Sequence, residues 1–281
     1  MRLQIGNFPK RLDLEARLVI GGGLGYGSSG LGVQEMEEYL QTHTVDDLKH
    51  LFARNQIALA AVWPGPLYAH DGDLWEQMLR LAEHRCSIVA ELGGTQVGVN
   101  TPTRWPKKPS EYEWDWLARK YGEYAAMLDQ YGLSLVIEYL GPHCARPRGG
   151  INYSFIDNLD TALRLVERIG RPNVGLIVDV MHWWSGGGTY EDLHKVKGLP
   201  LAVHFFDIPH GVTRETVNDW DRVLPGEGMI DLVRFLRILD GDGFDGDVMP
   251  ELLRSEALAE ADSWEGPRLI RNAYFTILDQ V

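Results

Sequence analysis

Two cysteines in 281 residues, Cys86 and Cys144, are too few for a disulfide framework and are not spaced as a CxxC metal site. A reduced, cytoplasmic location is expected on that basis. Long apolar runs are missing too. The longest clean run, Ile57 to Trp63, falls far short of the roughly 18 residues that cross a bilayer. The first residues, MRLQIGNFPKR, hold no apolar stretch of the kind a signal peptide needs. Positive charge is scarce: 27 Lys and Arg stand against 40 Asp and Glu, a formal charge of −13. Phosphate backbones and anionic membrane surfaces would repel such a chain, and no basic patch is segregated to offset this. The expected partner is therefore a small molecule, with no nucleic acid and no membrane; a homo-oligomer stays open. The motifs G-x-x-x-x-G-K-[ST] and G-x-S-x-G are absent, which weakens phosphoryl-transfer and serine-hydrolase readings. No Pro/Ser-rich linker or charge block divides the chain, so one domain over 1–281 is expected.

What is present is an alternation of apolar strand and amphipathic helix. Strand candidates are 2–6, 57–63, 95–100, 133–139, 174–180, 201–206 and 247–253. Their near-continuous apolar character suits parallel strands covered on both faces. Between them, Trp114, Leu117, Tyr121, Tyr124, Leu128 and Tyr131 form one stripe at helical spacing, which predicts a helix over 111–131. The same pattern predicts helices over 158–169, 230–239 and 264–279, and a short one over 190–197. Repeated strand-then-helix order implies right-handed βαβ units and a parallel sheet. Seven clear strands, plus one concealed in the glycine-rich stretch 17–32, give the eight of an α/β TIM (β/α)8 barrel. An open doubly wound sheet is the alternative.

Polar residues sit at or near the carboxyl ends of the last four strands: Glu138, Asp179, His204 and Glu251. Barrel enzymes build their sites at that face. Taken singly, an acid at a strand end is usually a helix cap or an ion-pair partner, and a strand histidine is usually a satisfied core residue. Taken together they point elsewhere. Three carboxylates buried close to one another are costly unless a cation neutralises them. With one imidazole they suit one divalent metal ion, Mn²⁺, Co²⁺, Mg²⁺ or Zn²⁺. His182 follows Asp179 by one helical turn, His143 follows Glu138, and Asp207 follows His204, where it could orient the imidazole ring. Arg222 precedes a Pro-Gly turn in DRVLPGEG. Trp63, Trp105 and Trp183 are candidates to cover the apolar face of a sugar-like ring.

GYGSSG (25–30) matches G-x-G-x-x-G after the apolar RLVI. A dinucleotide site would need a helix directly after it and an acid closing the next strand. The next strand closes on Trp63-Pro64-Gly65, so a loop is expected instead.

The stretches EEYLQTHTVDDL, IEYLGPHC, RPNVGLIVDVMHW, VHFFDIP, DWDRVLPGEGMIDL and DGDVMPELL give the chain a family likeness. It resembles the xylose isomerase-like TIM barrels, the sugar phosphate isomerase/epimerase group, and within them the inosose isomerase branch. The resemblance implies that Glu138, Asp179, His204 and Glu251 bind one divalent metal and that His182 and Arg222 contact substrate oxygens. It departs in two places. Residues 17–32 are glycine-rich where the family has an ordinary helix and second strand. Glu138 is followed by YLGPHCA, without the second glutamate of the ketohexose epimerase branch.

The expected activity is metal-dependent isomerisation or epimerisation of a polyhydroxy ketone, an inosose or a ketose, through an enediolate. Glu138 and Glu251 would exchange the protons; His182, Arg222, His143 and Trp183 would bind substrate. The rivals are a lyase on the same metal site, such as a dehydratase or a deglycosylating enzyme, and a non-catalytic sugar-binding protein. A DNA-repair endonuclease of the related barrel type would want several zinc ions and a basic face, which the charge of −13 opposes.

Overall fold

Apolar strands that each feed an amphipathic helix can bury both faces only by curling into a closed sheet or by stacking as an open one. In the computed structural model of the protein the sheet closes. Residues 1–6, 12–65, 68–141, 153–252 and 264–281 are described. The strands are β1 (Arg2–Ile5), β2 (Ser28–Ser29), β3 (Ala58–Leu59), β4 (Gln96–Asn100), β5 (Arg104–Trp105), β6 (Ser134–Glu138), β7 (Tyr153–Ser154), β8 (Val174–Asp179), β9 (Leu201–Phe205) and β10 (Asp247–Pro250). Eight of them form one parallel sheet in the order β3-β2-β1-β10-β9-β8-β6-β4. A parallel bridge between Val62, beyond β3, and Val97 in β4 brings the two edges together. The short β5 and β7 pair antiparallel outside this sheet.

The helices are α1 (Leu14–Leu24), α2 (Val33–Tyr39), α3 (Val45–Arg54), α4 (Gly72–Glu91), α5 (Glu111–Asp129), α6 (Leu159–Ile169), α7 (Val180–Ser185), α8 (Leu232–Gly241) and α9 (Glu265–Leu278). The predicted short helix near 190 is a 3₁₀ segment, Glu191–Val196. Local chemistry fixes their ends. Asn158 caps α6 by accepting from the Thr161 N–H at 2.9 Å, and Gly170 ends it in the left-handed region, φ 66°. The α6 face of Leu159, Ala162, Leu165 and Val166 is buried against the sheet. The main core lies between strands and helices. A second small cluster, Ala61, Val136, Ile177 and Ala202 with Trp63 packed on it, fills the inside of the barrel. Among the described residues no helix is long and apolar enough to cross a membrane.

The glycine-rich stretch is where the sequence reading needs correcting. GYGSSG is not a loop: the RLVI before it lies inside α1, and its Ser28–Ser29 is the strand expected somewhere in 17–32. The glycine triplet stays helical despite its low propensity because α1 is packed too closely for side chains. A Cβ on Gly23 would lie 2.9 Å from Trp264, one on Gly21 3.3 Å from Ile5, and one on Gly22 would strike the Asn55 carbonyl. Gly25 is the left-handed cap of α1, φ 78°. The motif is thus spent on a helix end and a strand, and this stretch supplies the helix and second strand that its composition had concealed.

Candidate metal centre

The parallel register decides which side chains meet. Asn100 pairs with Glu138 across β4 and β6, and Asp179 pairs with His204 across β8 and β9. Asn100, Glu138 and Asp179 each close their strand and His204 is the last but one in β9, so all four lie at the carboxyl end of the barrel, where Glu251 follows β10. Ligand atoms of Glu138, Asp179, His204 and Glu251 lie within 4.8 Å of one another, which suits one shared cation.

Each carboxylate has its own anchor. Asp179 Oδ1 accepts from the Met181 and His182 N–H groups at 2.8 and 3.0 Å, capping α7. Its Oδ2 is left to face the cluster, so one residue serves as helix cap and as candidate ligand. Glu138 Oε2 accepts from Asn100 Nδ2 at 2.6 Å, leaving Oε1 towards the centre. Glu251 Oε2 meets Arg222 Nη1 at 2.7 Å.

His204 Nδ1 lies 2.9 Å from Glu138 Oε1, 3.3 Å from Glu251 Oε2 and 3.6 Å from Asp179 Oδ2. It is buried and completes no hydrogen bond with any of them. A nitrogen surrounded by carboxylate oxygens yet aligned to none fits a metal ligand better than a satisfied core histidine. The charges agree. A divalent cation with the Arg222 guanidinium balances the three carboxylates when His204 is neutral.

Without a cation, protonation of His204 offsets part of the cluster's negative charge. Burial drives the His204 imidazole towards its neutral form, but the Glu138 and Glu251 carboxylates outweigh this and hold its pKa well above the ordinary value. Burial opposes ionisation of Asp179, but Arg222, then His182 and His204, keep its carboxyl far below the usual range. Glu251 is likewise lowered against burial, by His204 and Arg222.

Arg222 is buried and nearly saturated. Nη1 reaches Asp179 Oδ2 at 3.1 Å, Glu251 Oε2 at 2.7 Å and the Glu251 carbonyl at 3.1 Å. Nε and Nη2 donate to the carbonyl and carboxylate of Asp219. Among the described residues this leaves one N–H for a substrate oxygen. His182, on α7, holds Nε2 3.8 Å from Asp219 Oδ1, with its buried Nδ1 unpartnered. Both residues line a cavity of about 850 Å³ above the cluster, together with Gln4, Trp63, Asn100 and the ion pair Arg17–Glu35.

The other expected contacts divide. Trp183 packs between Tyr190 and Phe235, ring centroids 5.2 Å apart in each case, and donates Nε1 to the Thr189 carbonyl. Its ring belongs to the core behind the barrel and does not line the cavity. Trp105 packs on Trp116 and Phe155. Trp63 does line the cavity, 6.2 Å from the His204 ring. Asp207 does not orient His204: its carboxylate accepts from the Ile208, Ile230 and Gly226 N–H groups. His143 lies outside the described residues. Sequence reasoning passed over Asn100 and Asp219, though Asn100 closes β4 as Glu138 closes β6.

Residues 24–273 match the profile of the Xylose isomerase-like TIM barrel family. The chain belongs to that family. This xylose isomerase-like barrel is 27% identical over 236 residues to the inosose isomerase of Halalkalibacterium halodurans, covering 80% of this chain and 77% of that one. It is 31% identical over 135 residues to the inosose isomerase of Bacillus licheniformis, covering 48% of this chain and 45% of that one. A xylose isomerase domain protein from Alicyclobacillus acidocaldarius shares the fold at a TM-score of 0.87 and 27% identity, over 99% of this chain and 97% of that one. The IOLI protein with a binding zinc atom matches in fold at 0.84 and 22% identity, over 100% and 99% of the two chains.

Proposed function

We propose that the protein is a divalent-metal-dependent isomerase or epimerase of a polyhydroxy ketone, an inosose or a ketose. The observation that carries this is the meeting of Glu138, Asp179, His204 and Glu251 beneath the cavity. Relatives named inosose isomerase, and the zinc in the IOLI structure, support it.

A cation held by those four residues supplies Lewis-acid polarisation of a carbonyl. The rest is done by side chains. One carboxylate, Glu138 or Glu251, takes the proton from the carbon beside the carbonyl. The other, having taken a proton from solvent, returns it to the neighbouring carbon or the opposite face, so the product keeps the substrate's mass. His182 and the remaining N–H of Arg222 hold substrate oxygens and reduce misorientation. Trp63 offers an apolar wall for a ring face.

The test is incubation of the Mn²⁺-loaded protein in D₂O with a panel of inososes and ketoses, read by mass and NMR. The expected product is an isomer carrying solvent deuterium at the carbon beside the carbonyl. A product lighter by one water would replace this reading with a dehydratase on the same cluster. Binding without turnover or exchange would leave a sugar-binding protein.

A further inference from the structure

We propose that Asn100 is a positioning residue for the metal centre: it ties one oxygen of Glu138 and so compels that glutamate to offer a single oxygen to the cation. The inference rests on the metal reading above but not on the identity of the substrate.

Asn100 is the last residue of β4 and Glu138 the last of β6, paired in the parallel ladder, so their side chains leave the sheet side by side on the same face. The Asn100 amide donates Nδ2–H to Glu138 Oε2 at 2.6 Å. The opposite amide orientation would set a carbonyl oxygen against a carboxylate oxygen, so only the donor can face Glu138. The pair is fastened from both sides. Tyr121, fully buried on α5, donates its hydroxyl to the Asn100 carbonyl at 2.6 Å. Thr101, the next residue, holds the Glu138 carbonyl through its N–H at 3.0 Å and its hydroxyl at 3.3 Å.

The consequence is an ordered donor set. Asp179 Oδ1 is held by two backbone N–H groups and Glu138 Oε2 by the Asn100 amide. Each therefore presents one oxygen to the centre. Glu251 differs: Arg222 and His204 both address its Oε2, and no described residue hydrogen-bonds its Oε1. Glu138 is thus fixed as a ligand, while Glu251 keeps an oxygen able to accept a proton. An uncharged amide suits this task, because it orients a carboxylate without competing for the cation's charge balance.

The experiment is a double-mutant cycle on Mn²⁺ affinity, followed by water-proton relaxation so that weak binding is still read. The proteins are the wild type, Asn100→Leu, Glu138→Gln and the double variant, with Asn100→Leu/Glu251→Gln as a control. Partners of ligating carboxylates typically contribute about 10–100-fold in metal affinity. Asn100→Leu should weaken Mn²⁺ binding by about that factor in the wild-type and Glu251→Gln backgrounds, and by less than about threefold where Glu138 is already Gln. The melting temperature of the metal-free variants reports packing separately. An equal loss in every background, or an unchanged dissociation constant, would overturn the proposal while leaving the metal site intact. A wild type that binds no Mn²⁺ overturns both. A wild type that binds Mn²⁺ but turns over no ketose overturns the functional reading alone.

Discussion

Arg222 grips Glu251 twice, through the carboxylate at 2.7 Å and the main-chain carbonyl at 3.1 Å. The guanidinium thereby fixes both where the chain leaves β10 and how its candidate ligand points. Its stacking over the Phe206 ring, 4.1 Å from the centroid, holds the fork in place.

Removing that fork should expose how the cluster is balanced. In the metal-free protein, Arg222→Ala leaves the fully buried Asp179 without its nearest cation. Breaking a buried pair in this way costs roughly 3–5 kcal/mol. Urea unfolding in EDTA should show a loss of that order, and excess Mn²⁺ should recover part of it. A loss that is the same with and without Mn²⁺ would mean that the arginine works by packing rather than by charge.

Acid should act on the centre in two directions. The raised pKa of His204 stabilises the metal-free fold below its unfolded value of 6.5, and that contribution is lost as pH rises through the folded value. The lowered pKa values of Asp179 and Glu251 contribute above their unfolded values of 3.8 and 4.5, and are lost as pH falls. The metal-free cluster is therefore most self-sufficient between about pH 4.5 and 6.5. A cation must displace the His204 proton, so apparent Mn²⁺ affinity should rise by up to about tenfold per pH unit as pH climbs towards the folded His204 value. Chelation should lower the melting temperature, since a ligand at a hundredfold excess over Kd adds about 2.7 kcal/mol. Melts in EDTA and in Mn²⁺ from pH 5 to 8 check both; parallel curves would sink the competition between proton and metal.

How much of this was legible follows from what each residue does. Glu138, Asp179, His204 and Glu251 could be read because ionisable groups ending apolar strands are conspicuous and the barrel gathers strand ends. Asn100 carries no charge and raised no such question, although its register beside Glu138 is as informative. β2 is two serines, too short and too polar for a strand pattern; its place is set by Ser28 donating to Asp247 at 2.6 Å and by pairing on both sides. α1 was hidden by a glycine triplet that close packing requires. Trp183 was misplaced because an aromatic residue one turn into a helix can face core or cavity, and sequence type does not choose.

Asp207 separates loop construction from ligand chemistry. Its buried carboxylate takes Ile208 N–H at 2.8 Å, Ile230 N–H at 3.0 Å and Gly226 N–H at 3.2 Å, and so shapes the turn that follows Arg222. Asp207→Ala leaves these donors without their acceptor, at about 1–3 kcal/mol for each that stays dry. The expected result is a lower urea midpoint with Mn²⁺ affinity within a few-fold of wild type. His204→Ala should instead lose the metal, and its cost to the metal-free midpoint should grow as pH falls towards about 6, where the imidazolium offsets the carboxylates. If Asp207→Ala strips the metal while the fold stays firm, the residue acts on His204 after all.

Gly98 makes room for Trp63. The glycine lies mid-strand in β4, and a Cβ there would stand 2.7 Å from both Cζ2 and Nε1 of the indole. The ring cannot retreat inward, because it already rests on Ala61, Val136, Ile177 and Ala202. It can move only towards the cavity it lines. Gly98→Ala should therefore cost about 1–3 kcal/mol from overpacking and push the indole into space that substrate would use. Shortening the ring should relieve this: Trp63→Phe in the Gly98→Ala background should recover most of the lost stability, although Trp63→Phe alone should be destabilising. Urea midpoints of the four proteins give the coupling directly, and indole fluorescence of Gly98→Ala reports the displaced ring. Additive losses in the double variant would mean that the barrel absorbs the methyl group elsewhere, and Gly98 would then have no part in seating Trp63.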